Sequence, residues 1–387
     1  MDFYARTVAW GPSNHRYRSE SMTSRPAASS RDNNFNLIRF MAALCVMIGH
    51  MSFIAPGPLY IFLGNGIQIM GVRTIFLLGG YLISKSWSSD PHVLRYAVKR
   101  AFRIWPALIV FTLGVALVAG PILSVLPAGE YFRNPATWQY LGAIGFYISY
   151  GLPGVFADVP YAGVVNGSLW TMPLEVALYV LVPLVLWLVS RRPWRKHASL
   201  LTAIFVGLYV VAAVLRCAVF PQWRMVIYGL DVAQFLVLGV YYMLGMLYAL
   251  PQVRRFLNLQ VASLLLVAAA MAQFTSYAAN EVCYMLVFPY FVFSLGLCEK
   301  PLFKGFGRKT ELSYGIYLYG FFVQQCLVWL CNRLGWTLPY WGLQVVSIAL
   351  TMACAYLSAK LIEEPCMRLS KRLLARIPAR GERATTH

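Results

Sequence analysis

Ten stretches of mostly apolar residues, separated by short polar segments, run along this chain at 36–54, 61–84, 105–125, 168–190, 198–219, 229–250, 257–275, 281–298, 311–331 and 341–362. About 20 apolar residues in a row is the length an α-helix needs to cross the hydrocarbon core of a bilayer. The pattern predicts an all-α polytopic membrane protein with about ten transmembrane helices. One further segment, 136–150, is apolar and aromatic but too short to span. Counting it as a span would invert every later loop. It reads instead as a short re-entrant or interfacial helix on the outer side, where Trp and Tyr are favoured. The surrounding stretch 126–167 is the longest non-spanning segment, and its Gly, Pro and Tyr content suits a lid or binding surface. No internal repeat, Pro-rich linker or separate soluble domain interrupts the pattern.

The polar segments alternate in charge. Arg95, Lys99, Arg100 and Arg103 follow the second stretch, and Arg191, Arg192, Arg195 and Lys196 the fourth. Arg254 and Arg255 follow the sixth, Lys300, Lys304, Arg308 and Lys309 the eighth, and Arg368, Lys371, Arg372, Arg376, Arg380 and Arg383 the tenth. The intervening loops hold only Arg133, Arg216, Arg224 and Arg333. Cytoplasmic loops carry the excess of Lys and Arg, so this alternation puts both termini in the cytoplasm. It divides the chain into a disordered cytoplasmic N-terminal tail (1–34), a membrane domain (35–366) and a basic cytoplasmic C-terminal tail (367–387). The N-terminal tail, polar and rich in Ser and Arg, lacks the apolar core and cleavage site of a signal peptide.

Composition agrees. Of 387 residues, 59% are hydrophobic and 12% charged, against roughly 25% charged in soluble domains. The net charge of +19 belongs to the loop asymmetry rather than to a nucleic-acid surface, because there is no basic soluble domain to form one. The eight cysteines lie in or beside apolar stretches without a CxxC pair, which argues against a disulfide framework or a metal site.

Ionisable side chains inside a bilayer are costly and mark function by default. Of the five histidines only His50 falls within a span, and Arg39 stands eleven residues before it. Eleven residues are about three helical turns, so the two side chains share one face, roughly 16 Å apart along the axis. His50 sits toward the outer end and is a candidate general base, since imidazole titrates near neutral pH; the plain alternative is a hydrogen-bonded packing residue. Arg39 sits near the cytoplasmic entry, where Arg100 and Arg103, three residues apart, offer paired guanidinium forks suited to phosphate. Glu175 lies in the outer half of the fourth span. A buried carboxylate needs a partner, and the candidates are His50, a substrate hydroxyl, or Arg73 in a structural ion pair. Asp231 and Glu281 read as interfacial.

Six separated segments together resemble the acyltransferase type 3 family of integral-membrane acyltransferases. They are Asn33 to Arg39 continuing to His50, Gly71 to Ile83, Arg100-Ala-Phe-Arg103-Ile-Trp-Pro106, Asn166-Gly-Ser-Leu-Trp170 with Glu175 and Tyr179, Leu312-Ser-Tyr-Gly-Ile-Tyr-Leu318, and Glu363-Glu364-Pro365. The resemblance covers about residues 33 to 370 and leaves 198–300 without a motif. It implies transfer of an acyl group, usually acetyl, from cytoplasmic acyl-CoA to an acceptor on the outer side. That acceptor is mostly a sugar hydroxyl of a cell-envelope or exported glycan, and the setting is a bacterial inner membrane. By position it implies that His50 is catalytic and that Arg39, Arg100 and Arg103 serve the donor, acetyl-CoA. Glu175 is then expected to orient the imidazole, as carboxylates do in other acyl-transfer sites. The rival reading is a transporter or flippase that moves an acyl donor or lipid-linked glycan without chemistry. Acceptor identity and oligomeric state are not written in the sequence.

Overall fold

The computed structural model describes residues 33–378 except 221, 273–276, 299–301, 303–304 and 309. Among them, eight helices are long and apolar enough to cross a membrane: α1 (Phe35–Ile54), α2 (Ile67–Ser89), α3 (Val93–Leu123), α4 (Leu169–Val189), α5 (Arg195–Val219), α8 (Ala279–Gly296), α9 (Ser313–Leu334) and α10 (Tyr340–Arg376). Two shorter apolar helices, α6 (Val232–Tyr248) and α7 (Leu259–Ala272), occupy the sixth and seventh expected positions. The protein is an all-α polytopic membrane protein. Residues 1–32 of the expected N-terminal tail, and 379–387 of the C-terminal one, lie outside the described residues.

Two boundaries differ most from expectation. Arg95, Lys99, Arg100 and Arg103 were expected before a third span starting at 105, with Arg100 and Arg103 as helical neighbours, and α3 begins already at Val93 and carries all four. Hydropathy alone reads charged positions as loop. Here apolar and aromatic residues interleave with them at helical spacing, and the backbone stays helical because one face buries Tyr96 and Ile104. Likewise α10 runs past 362 to Arg376. Arg95 Nη1 ties its end down by donating to the carbonyls of Leu374 (2.7 Å) and Ile377 (2.6 Å). The segment 136–150 does not span. It folds as the short helix Pro135–Gln139 and a 3-10 turn, Tyr140–Gly145, packed along α3, where Trp105 Nε1 donates to the Ile144 carbonyl at 3.1 Å.

Polar ties show which helix ends share a face. At one face, Asn34 joins the start of α1 to the end of α8, its Nδ2 donating to the Leu295 carbonyl at 2.8 Å. Tyr314 at the start of α9 donates to the Ile104 carbonyl of α3 at 2.9 Å, and the end of α10 meets the start of α3 as described. The start of α1 and the end of α10 therefore lie together. At the opposite face Ser52 Oγ meets Tyr340 Oη at 3.1 Å, and Gln325 Nε2 donates to the carbonyls of Tyr161 and Val164, both at 2.7 Å. These last bonds pin the 126–167 segment onto α9. Buried Tyr131, Tyr140 and Phe156 anchor the rest of it.

Close helix contact depends on small residues, which let backbones approach in the absence of a hydrophobic drive between helices. A Cβ at Gly80 of α2 would stand 1.9 Å from the Tyr242 carbonyl oxygen of α6. One apolar cluster gathers α2, α4, α5, α6 and α8, and a second gathers α3, α9 and the 126–167 segment. Helix α1 contributes to both, so Arg39 and His50 stand at the seam between them.

Candidate active site

Helix α1 is unbroken from Phe35 to Ile54, so Arg39 and His50 keep the three-turn spacing of their sequence positions. Beside Arg39 a small cavity opens, with about 50 Å³ of enclosed space, lined by residues of α1, α2, α3, α4 and α9. Arg39, Arg103, Glu175 and Tyr179 line it, as do Thr171 and Tyr317. Tyr317 Oη donates to the Ser168 carbonyl at 2.9 Å, and Ser168 Oγ lies 3.5 Å from His50 Nδ1. The cavity thus runs from two guanidinium groups to Thr171 and Tyr317, and Tyr317 is tied through Ser168 to the imidazole, which itself does not line the cavity.

At the arginine end, Arg103 donates to two carboxylates. One is Glu363, Nη1 to Oε2 at 3.2 Å; the other is Glu311. Arg39 Nη2 reaches the same Glu311 oxygen at 3.9 Å. The π-helical turn Ala359–Glu363 within α10 places Glu363 here, 6% exposed, where Ser358 Oγ also donates to it at 3.3 Å. Such widened turns are frequent at functional sites. Burial alone pushes the Glu311 carboxyl up, but the charges of Arg103 and Arg39, with the Ser313 hydroxyl and backbone N–H donating, outweigh it and hold it below the usual carboxylate range. Neither acid was singled out as a site residue from sequence. Their signal was the Glu363-Glu364-Pro365 motif and the acid two residues before α9, but nothing local says that they face Arg103.

Arg100, expected beside Arg103, does not meet these carboxylates. It lines a separate apolar groove that shares Ile104 and Tyr179 with the central cavity. Its guanidinium carbon lies 5.7 Å from the Tyr96 ring centre and 5.9 Å from that of Tyr179, and its Nε has no hydrogen-bond partner among the described residues.

Glu175 was expected to orient His50. The structure does not join them. The described partner of Glu175 is the Tyr179 hydroxyl, one helical turn on, which donates to Oε1. The alternative partner, Arg73, is also elsewhere: its Nη1 and Nη2 donate to Glu281 at 3.2 and 2.8 Å, and its guanidinium lies 5.0 Å from the ring centres of Tyr241 and Tyr284. Glu281, read as interfacial, is therefore the counter-ion of Arg73, because the starts of α2 and α8 pack together.

His50 itself is half-buried. Besides Ser168 it meets Phe321 edge-on, with ring centres 5.3 Å apart. A Cβ at Gly167 would stand 2.7 Å from Phe321, so the backbone beside Ser168 comes close only because that position has no side chain.

A sequence profile described as an acyltransferase domain matches residues 32–360, most of the chain. The chain belongs to the acyltransferase type 3 family. It is an acyltransferase, an enzyme, and the transporter or flippase reading is not retained. Among relatives of this acyltransferase, an O-acetyl transferase of Shigella phage Sf6 is 27% identical over 347 residues, covering 86% of this chain and 96% of the relative. Nodulation protein 10 of Rhizobium leguminosarum bv. viciae is 28% identical over 380 residues, covering 91% and 98%. No solved structure matches. The cavity of the acyltransferase beside Arg39 and Arg103 is built largely from the six segments that carried the resemblance.

Proposed function

We propose that the protein moves an acetyl group from cytoplasmic acetyl-CoA to a hydroxyl of a cell-envelope or exported glycan on the outer side of a bacterial inner membrane. The observation that carries this reading is a cavity with the Arg39 and Arg103 guanidinium groups at one end and, at the other, Tyr317, which bonds the Ser168 that meets His50. Such a cavity suits a donor with phosphates at one end and a thioester at the tip of a long thin arm. The phage relative, an O-acetyl transferase, supports acetyl and an oxygen acceptor. The excess of basic residues beside Arg39 and Arg103 supports a cytoplasmic donor end.

Arg39 and Arg103 hold the donor phosphates by charge-assisted hydrogen bonds, and Arg100 adds positive potential from across Tyr179. His50 is the general base. It takes the proton from the acceptor hydroxyl as oxygen attacks the thioester carbon, the carbon–oxygen bond forms, the carbon–sulfur bond breaks, and the proton passes to the leaving sulfur. Glu175 and Tyr179 shape the wall between the two ends.

The test is transfer from labelled acetyl-CoA in membranes carrying wild type or His50→Ala at equal expression. Label in an envelope glycan that disappears with the variant supports the reading. Equal labelling with both removes His50 as base, and label from neither overturns acetyl-CoA as donor once acceptor is supplied in excess.

A further inference from the structure

We propose that Ser168 is the positioning residue of His50: it accepts a hydrogen bond from Nδ1–H and so leaves the Nε2 lone pair free to act. This rests on the reading of His50 as base and replaces Glu175 in the orienting part.

Ser168 Oγ, 3.5 Å from Nδ1, is the one hydrogen-bonding group at the imidazole among the described residues. Its own place is fixed with unusual care for a loop serine. Ser168 is 2% exposed. Its N–H donates to Asn166 Oδ1 at 2.9 Å, and Asn166 Nδ2 in turn donates to the Leu318 carbonyl at 2.8 Å. Its carbonyl accepts from Tyr317 Oη, which lies 2.5 Å from Thr171 Oγ1. One residue of the loop, one of α4 and two of α9 thus fix the backbone that carries this hydroxyl beside the ring, while Phe321 packs edge-on to that ring.

A neutral histidine carries a proton on one nitrogen only, and the partner of that nitrogen decides which. A base needs the nitrogen that faces the substrate to be bare. With Nδ1–H committed to Ser168, the bare nitrogen is Nε2. The same hydroxyl oxygen then accepts from Nδ1–H when the ring becomes an imidazolium. A 3.5 Å contact is long, as catalytic hydrogen bonds often are before substrate closes the site. Glu175 is not given this part because its described partner is Tyr179, and no contact joins it to the imidazole among the described residues. Ser168 is a positioning residue and not a nucleophile in this proposal, since it is 2% exposed and does not line the cavity.

The experiment compares wild type, Ser168→Ala, Ser168→Thr and Tyr317→Phe, with histidine side chains labelled in nitrogen-15 and the His50 signal identified by its loss in His50→Gln. In wild type at mildly alkaline pH His50 is expected as the Nδ1–H tautomer. Ser168→Ala is expected to mix the tautomers and lower kcat by about 10- to 100-fold, part of what a general base contributes, with the donor KM unchanged. Ser168→Thr is expected to restore the tautomer, and Tyr317→Phe to give a weaker form of the same defect in a chain that keeps Ser168. An unchanged tautomer in Ser168→Ala overturns the proposal, as does acyl label retained on Ser168. Full transfer by His50→Gln would instead sink the reading of His50 as base, leaving the tautomer result to stand by itself.

Discussion

Tyr179 donates its hydroxyl to the carboxylate of Glu175, one turn away on α4. The pair forms part of the wall of the central cavity, and Tyr179 also faces the groove that holds Arg100. Both residues are placed by the same turn of helix, so they act as a unit. Glu175→Gln and Tyr179→Phe are each expected to lower kcat/KM, and the double variant to be little worse than the worse single one. Directly bonded residues in such a cycle couple by about 0.5–3 kcal/mol. Kinetics of the four proteins checks this, and simple additivity would show that the hydrogen bond carries nothing in the reaction.

Removing Arg103 strands two acids. Glu363 has a side-chain exposure of 8% and loses its guanidinium partner outright, while Glu311 keeps the Ser313 donors but only the longer contact to a guanidinium, that of Arg39. Breaking a fully buried pair costs about 3–5 kcal/mol. Arg103 is 23% exposed at its side chain, so a smaller loss is expected for Arg103→Gln, about 1–3 kcal/mol. Arg103→Gln with Glu363→Gln is expected to recover part of the stability in a thermal melt in detergent, but none of the donor affinity. Recovery of both would remove Arg103 from donor binding.

The contact of α2 with α6 leaves no room for a methyl group at Gly80. Gly80→Ala is expected to destabilise the protein by at least the 1–3 kcal/mol or so typical of overpacking, because the atom in the way is backbone. Gly114, in α3, has nothing within 4 Å of an added Cβ. Gly114→Ala is expected to be neutral or to stabilise by about 0.5–1 kcal/mol through the lower backbone entropy of alanine. Paired melts decide it, and equal effects would contradict the packing.

Between α2 and α3, Asp90 accepts from Lys99 Nζ at 2.7 Å and Arg95 Nε at 2.8 Å. Lys99 first, and then Arg95, hold its carboxyl below its usual range. A carboxyl whose value is depressed on folding stabilises the fold above its unfolded value, near ~3.9, and loses that contribution as pH falls through the folded value. Asp90→Asn is therefore expected to lower the melting temperature at pH 7 and to narrow its gap from wild type as the pH is taken down through 4 and 3. A gap that is constant with pH would assign the effect to packing instead.

Much of the molecule was legible in its sequence. The ten apolar stretches, the non-spanning nature of 136–150 and the shared helix face of Arg39 and His50 all follow from run length and helical period, which are local properties. So does the family, through six short segments that keep their order. The sequence could not give the partners: Arg103 with Glu363, Arg39 with Glu311, His50 with Ser168 and Arg73 with Glu281 join residues more than a hundred positions apart. Which faces meet depends on where glycines let backbones touch and where a π-helical turn swings Glu363 inward, and several faces of each helix are equally apolar. Glu175 illustrates the limit. Its burial in the membrane was readable from hydropathy, but whether its carboxylate met His50, Arg73 or Tyr179 was decided only by the rotation of α4 in the assembled bundle.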